Sequence, residues 1–522
     1  MTNEAETDHT LPAGFERSLV VLTMLMMSLM AAVDMTIVTV ALPYMAGGLS
    51  ATADDITWVV TMYTVSQAVA VGISGHMSRW FGRKRLCLIA VAGFVGSSIL
   101  CALAQDLGQI VIFRAIQGFF GGPLIPVAQS IIVDTFPPKE RVKGLTLWVL
   151  GVMVGPAAGP ALGGWLAEHL NWRWNFWVNL PVGAIAFVLI LRHVRPVPAQ
   201  RVRTDWLGLA LLFLFVMGFQ VVLDRGDIDD WFQSRELVLL AILALAAGTA
   251  FFVRGWIIGP ANVINLRLLG DRNFALCSLL ITIVAMVFLG LLVLTPEVFI
   301  NFFGWEVSTA GMVIGSYGAA GFIGSIVGGK IVARIGIRPA IVLAGLGMAV
   351  GWWQFSRLNL NAGLWESMVP GMWIQFGLLL VYGSLASQAF RNLKPEQRDE
   401  GAGLFNFLKT LGFSLGVSAV GTLMYRGQQR NWNIYGGELN YANPALRPWL
   451  HALGAKTVNP VTGAQLSQLL QSQTQMETFM QTSEVLCGLS LVCVLLAFFV
   501  PGQRKNAASD PKPGALPAGE AA

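Results

Sequence analysis

Charge is what this chain has least of. Asp, Glu, Lys and Arg make up 12% of its 522 residues, about half the share usual in a soluble globular protein. Hydrophobic residues make up 55%, and the mean hydropathy is +0.63. Water cannot be the main solvent of such a surface, which excludes a soluble globular domain. Cysteine is also sparse. All five (Cys87, Cys101, Cys277, Cys487, Cys493) lie inside apolar runs without metal-like spacing, so they read as small packing residues. The five histidines are scattered, and neither a zinc spacing nor a nucleophile elbow occurs. No metal, no cofactor, no enzymatic activity and no nucleic-acid partner is therefore expected. A phosphate-binding loop is missing too. "GSIVGGKI" (324–331) fits Gly-x4-Gly-Lys, but Ile331 stands where Ser or Thr is required, and the stretch lies inside an apolar run rather than between a strand and a helix. Without nucleotide chemistry, uphill movement has to draw on an ion gradient. No cleavable leader is expected either: the first seventeen residues are polar with four acids, and no small-residue cleavage site follows a short apolar core.

Long apolar runs are what the chain does have. Spanning a bilayer takes about 20 apolar residues, and such runs stand at about 18–42, 57–77, 86–104, 109–133, 144–167, 176–191, 206–223 and 237–256. Six more follow at about 273–295, 309–333, 339–356, 369–390, 401–425 and 483–502. The expected fold is an all-α polytopic membrane protein of fourteen helices. An even count puts both termini on one side. Loops on that side carry 24 Lys and Arg against 8 on the other, with Arg114 and Lys409 left inside helices; the positive-inside rule makes both termini cytoplasmic. Residues 1–17 read as a cytoplasmic tail, 192–205 as a basic linker, 426–482 as a long outside loop and 503–522 as a disordered tail. Within the outside loop, "GAQLSQLLQSQTQMETFMQ" has the pattern of an amphipathic helix.

Two short loops repeat. "GHMSRWFGRKR" between helices 2 and 3 places Gly82 seven residues and Lys84 nine residues after Gly75. "GKIVARIGIR" between helices 10 and 11 places Gly336 and Arg338 likewise after Gly329. A second pair, "PKERVKG" after helix 4 and "PEQRDEG" after helix 12, keeps the same offset of eight helices. Helices 1–6 (18–191) thus correspond to helices 9–14 (273–502), with two helices inserted in 192–272. Two related six-helix bundles around a central path are a recurring transporter plan with the substrate near the midplane.

These motifs resemble those of the major facilitator superfamily, specifically its fourteen-helix drug:proton antiporter branch and the EmrB type within it. "VDMTIVTVALP" is similar to the branch's first-helix motif, "GHMSRWFGRKR" to the superfamily loop motif and "FRAIQGFFGGP" to the helix-4 motif. "GVMVGPAAGPALGG" is similar to the helix-5 antiporter motif and "WRWNFWVNLPVG" to the start of helix 6. The resemblance implies a major facilitator fold and proton-coupled export of amphiphilic drugs or lipophilic weak acids across a bacterial inner membrane. It also implies a periplasmic adaptor and an outer-membrane channel as partners. One departure stands out: Arg79 occupies the loop position where the superfamily usually has an acid, so the usual acid latch does not carry over.

The residues suggest where such chemistry would sit. Asp34 lies deep in helix 1, where a charge costs on the order of 2.5–3.5 kcal/mol and desolvation favours the neutral acid. It reads either as a proton-exchanging group tuned by Arg114 or as a structural acid permanently paired with it. Gly75, Gly82, Arg83 and Lys84 form the candidate gating loop, with Arg83 and Lys84 expected to grip negative helix C-termini; the competing reading is a basic anchor at the lipid surface. Gly151, Gly155, Gly159 and Gly163 recur every four residues with Pro156 and Pro160 between them, a face for close packing or a bent hinge. Tyr63, Gln67, Gln117, Gln129, Trp148 and Asn406 are candidate cavity groups, and each could instead pack or bond between helices. Lys409 reads as a group snorkelling to the cytoplasmic interface or a functional one; Glu297 and Asp224 read as outer helix ends. A dedicated exporter of one metabolite and a non-transporting sensor are the competing functions.

Overall fold

The computed structural model describes residues 14–501 apart from 53–54, 138–139, 198–204, 227–230, 260–261, 395–396, 439–447 and 449–459. The expected terminal tails therefore fall largely outside the described residues. Fourteen long helices account for nearly all of the rest. The first bundle comprises α1 (Phe15–Leu49), α2 (Trp58–Phe81), α3 (Arg83–Leu103), α4 (Leu107–Gly121, resumed as Leu124–Thr135), α5 (Arg141–His169) and α6 (Asn179–His193, after the short turn Trp174–Trp177). The inserted pair is α7 (Trp206–Arg225) and α8 (Arg235–Ile258). The second bundle comprises α9 (Arg272–Glu297), α10 (Val307–Ile335), α11 (Ile337–Phe355), α12 (Leu364–Ala389), α13 (Arg398–Glu438) and α14 (Pro460–Ala497). Twelve of these spans are long and apolar enough to cross a membrane, and α5 and α11, packed among them, complete the fourteen. The even number returns the chain to the face on which it began, called here the terminal face.

The internal repeat is visible as matched backbone geometry. Gly82 and Gly336 both take left-handed angles (φ +77° and +87°) between α2 and α3 and between α10 and α11, a conformation other residues adopt only with strain. Two residues beyond each glycine stands a cation that closes the bundle. Lys84 donates to the Leu191 carbonyl in the last turn of α6 (2.7 Å), and Arg338 donates to the Val500 carbonyl just past α14. Cations at helix C-termini satisfy orphan carbonyls and oppose the dipole.

Close seams hold each bundle. Glycines of α5 lie against α1: a Cβ on Gly155 would stand 2.9 Å from Ala32 Cβ, and Gly159 and Gly163 face Thr36 and Ile37. Eight helices on, Gly412 and Gly416 of α13 press on the backbone of Thr282 and Met286 in α9. Without a hydrophobic force between helices in lipid, such backbone proximity and its dispersion contacts supply the association. α5 stays helical through positions 156 and 160.

α7 and α8 pack on each other, and α7 lies beside α2 and α13. Asp205 caps α7 through the Gly208 amide (3.1 Å) and accepts from Arg254 of α8 at 2.8 and 2.9 Å. The Arg254 hydrogen bonds hold its carboxyl below the usual range. At the other end, Thr61 of α2 donates to Asp224 (2.8 Å) and Ser418 of α13 donates to the Leu223 carbonyl (3.1 Å). Asp224, exposed near the end of α7 as expected, thus also ties that end to α2. Glu297 closes α9. Exposed Leu239, Ile242, Leu245 and Trp256 on α8 face outward as lipid contacts do.

The last two helices depart most from expectation. Residues 426–482 read as a loop, yet α13 continues to Glu438 and α14 starts at Pro460. At about 1.5 Å per residue, α13's 41 residues reach about 60 Å, twice the hydrocarbon thickness of about 30 Å. The two helices rise together beyond the bilayer, joined by Asn431 Nδ2 donating to Thr478 (3.0 Å), with Gly427 against the same threonine. The expected amphipathic helix is present as the first part of α14. Polar sequence hid this because the extension is held by its partner helix, not by lipid.

The α1–α5 seam gives a stability test. Gly155→Leu should lower the thermal unfolding temperature of the purified protein, since overpacking costs about 1–3 kcal/mol. Gly164→Ala, where an added Cβ meets only Val40 at 3.4 Å, should leave it unchanged. Equal unfolding temperatures for the two variants would refute the tight seam.

Candidate functional site

Asp34 is fully buried, and its partner Arg114 is 1% exposed. α1 brings the carboxylate in from the terminal face, and α4 brings the guanidinium in seven residues from its own start on the opposite face. Arg114 Nη1 donates to Asp34 Oδ2 at 2.6 Å. The other carboxylate oxygen accepts from Gln117 Nε2 (2.9 Å) and from Asn179 Nδ2 of α6 (3.0 Å). Arg114 also donates to Gln117 Oε1 (2.8 Å) and to the Val59 carbonyl (3.3 Å), and its guanidinium lies 3.9 Å from the Tyr63 ring centre. Gln67 donates to the Tyr63 hydroxyl (3.1 Å), and Asn179 also reaches Ser98 (3.0 Å). Five helices of one bundle meet at this acid.

The chemistry follows from the donor count. Every group facing Asp34 donates, so the ionised carboxylate is satisfied. Separating the acid from Arg114, Gln117 or Asn179 means moving α1 against α4 or α6. Breaking such a pair on one side leaves an uncompensated buried charge, costing about 3–5 kcal/mol. Of the candidate cavity residues, Tyr63, Gln67 and Gln117 belong to this network rather than to an open pocket. Trp148 is also buried and donates to Ser28 of α1 (3.0 Å). Sequence reasoning missed Asn179 and Ser98. Asn179 stands in the quoted "WVNLPVG", but no pattern in sequence says which bundle it points into.

A second constellation joins the bundles at the terminal face. Gly75 lets α2 touch the start of α13: a Cβ there would stand 2.6 Å from Glu400 Cα. Arg83 contacts Asp399 (2.9 Å) and Asp134 of α4 (2.6 Å), while Arg398 reaches Asp134 from the opposite bundle. Asp399 also accepts from Ser78 (2.7 Å) and Ser130. Arg83 was expected at a helix C-terminus; the carboxylates hold it instead, because they offer two full charges where a dipole offers a fraction. Arg79, the residue in place of the usual acid, pairs with Glu400, which also accepts from Asn265 (2.7 Å). The cation of this pair is on α2 and the acid on α13. Asp134, Asp399 and Glu400 went unassigned in sequence, although the last two sit inside the repeated "PEQRDEG".

Between the two constellations, α4 and α13 meet through Asn406 Nδ2, which donates to Gln129 Oε1. One turn further, Lys409 is buried and donates to Asn406 Oδ1 (2.8 Å) and the Tyr382 hydroxyl (3.2 Å). It points inward and does not snorkel.

Known proteins bear out this architecture. Residues 24–417 match the family model described as Major Facilitator Superfamily. The chain is 34% identical to the fatty acid resistance protein FarB of Neisseria gonorrhoeae over 76% of its own length and 78% of that protein. It is 29% identical to the multidrug export protein EmrB of Escherichia coli over 84% of its own length and 87% of that protein. Its fold overlays the human organic anion transporter MFSD10 with a TM-score of 0.59 at 13% identity, covering 93% of this chain and all of that one. A fourteen-helix membrane protein with a buried ion pair in one bundle and a charged clasp between two, this chain belongs to the Major Facilitator Superfamily of membrane transporters, within its EmrB type.

Proposed function

We propose that this protein is a proton-coupled antiporter that exports amphiphilic drugs or lipophilic weak acids across a bacterial inner membrane. The terminal face lies in the cytoplasm, as the loop charges indicate. The observation that carries the reading is Asp34, an acid with no exposure held by three donors. Such a group couples proton uptake to helix movement. Support for the cargo comes from the relatives, one named for fatty acid resistance and one for multidrug export. The first also favours a narrower variant, an exporter dedicated to fatty acids, which transport of a dye panel against fatty acids separates.

The clasp of Arg79, Arg83, Asp134, Arg398, Asp399 and Glu400 closes the cytoplasmic side in this conformation. In the proposed cycle, a proton from outside neutralises Asp34, which parts from Arg114. The first bundle then relaxes, the clasp opens, and cargo binds from the cytoplasm or inner leaflet. Deprotonation to the cytoplasm restores the pair and the clasp, and the cargo leaves outward. The paired extensions of α13 and α14 are the surface a periplasmic adaptor would grip, with an outer-membrane channel beyond it.

Three measurements test this. In everted vesicles, Asp34→Asn should cut proton-driven dye efflux at least tenfold; Asp34→Asn with Arg114→Gln, which removes the stranded cation, should recover folding but not efflux. Normal efflux by either variant removes the coupling role. For the clasp, Arg79→Glu or Glu400→Arg alone should expose a cysteine placed at Ser74 to cytoplasmic maleimide, and the double swap should protect it again, because contacting charges couple by about 0.5–3 kcal/mol. Identical labelling in all three denies the clasp a gating role. Finally, removing residues 431–478 should abolish recovery of a co-expressed adaptor in pull-downs while membrane levels hold; undiminished recovery argues against that docking surface.

A further inference from the structure

Lys409 is a cation that neither constellation uses. It lies eleven residues past Arg398, so about 16 Å along α13 at 1.5 Å per residue, close to the middle of a bilayer about 30 Å thick. Among the described residues no carboxylate pairs with it. Its two acceptors, Asn406 Oδ1 and the Tyr382 hydroxyl, are both neutral. An ammonium has three donors, so one is left over. Next to it stands a second unused donor. Gln129 is fully buried, its Oε1 accepts from Asn406, and its Nε2 has no hydrogen-bond partner. Buried donors are seldom left so. These two groups come from opposite bundles and meet through a single asparagine.

The surroundings are aromatic. The Lys409 nitrogen lies 5.9 Å from the Tyr382 ring centre and 5.8 Å from that of Phe413, and Phe413 packs on Phe288 at 6.1 Å. Lys409, Tyr382 and Phe288 each retain 7–8% exposure, where core groups such as Phe405 retain none. The clasp lies nearer the terminal face on the same helix, α13.

We propose that Lys409 and Gln129 form the head-group site for an anionic cargo, with the carboxylate of an amphiphilic acid accepting from both and its apolar body lying along Tyr382, Phe413 and Phe288. A carboxylate offers about four lone-pair positions to donors, and charge-assisted bonds in such a site are the strong ones. The proposal rests on the export reading above and narrows it to acids carried as anions. Because the site draws on both bundles, rocking alters the spacing of Gln129 on α4 and Lys409 on α13, and with it the hold on the anion.

Binding and transport separate this proposal from the export reading. In detergent or nanodiscs, without any gradient, the full-length protein should bind dodecanoate at least tenfold tighter than dodecanol of equal chain length. Acetate at the same concentration should not compete, since it lacks the apolar body. Lys409→Met should reduce the acid-to-alcohol affinity ratio to near one, Lys409→Arg should keep it, and Gln129→Leu should lower it by about threefold to tenfold. A ratio unchanged in Lys409→Met, equal loss of both ligands, or no preference in the parent protein each overturns the site. Thermal unfolding of every variant identifies those that fail to fold, and for these Lys409→Gln replaces Lys409→Met. If dodecanoate binds with this dependence on Lys409 but is not moved in proteoliposomes under a pH gradient, the site stands and the export reading falls.

Discussion

Hydrocarbon solvates no charge, so an ion inside the bilayer must find countercharges or polar partners within the protein, and this single requirement organises the molecule. Asp34 finds Arg114 and two amides. Arg83 finds Asp134 and Asp399. Arg79 finds Glu400. Each solution binds together helices that lipid alone would not hold, and each can be undone only by exposing an uncompensated charge. The result is a set of discrete arrangements rather than a continuum. A bundle whose inner acid is ionised is drawn tight around it, and one whose acid is neutral has lost the reason for that packing. On the coupling proposed above, electrostatics gives a proton leverage over helices far larger than itself.

The two constellations differ in what they span. The Asp34 network lies wholly inside the first bundle, on α1, α2, α3, α4 and α6, and can change without any contact to the second. The clasp at the terminal face is the reverse, since nearly every bond in it crosses from one bundle to the other. α2, α3 and α4 run between them, and α4 carries Arg114 near one end and Asp134 near the other, broken between them at the Gly121-Gly122-Pro123 step. A helix with two polar ends and a pliable middle is a suitable mechanical link.

Much of this was legible in the sequence, because the membrane constrains patterns strongly. Span number, the inserted pair and the eight-helix repeat follow from apolar length and the spacing of Gly75, Gly82 and Lys84 against Gly329, Gly336 and Arg338. Asp34 and Arg114 stand out as lone charges in apolar runs. What did not show were partners set by tertiary approach. Asn179 and Ser98 are ordinary polar residues until α6 and α3 meet α1. Asp399 and Glu400 sit at a helix start, where acids are common for reasons of dipole alone, so their service to Arg83 and Arg79 left no separate trace. The extensions of α13 and α14 escaped for another reason: apolar-run counting stops at the lipid surface, while helix formation there depends on the neighbouring helix.

The inserted hairpin carries one more implication. α7 is bonded to α2 through Thr61 and to α13 through Ser418, so it stitches one flank of the seam between the halves at the face opposite the termini. The other flank, where α5 meets α10 and α12, has no such stitch among the described residues. Any outward cleft must then part like a door on a jamb, wide on the bare edge and narrow on the sewn one. A greasy molecule sliding out sideways meets a doorway on only one shoulder of the protein.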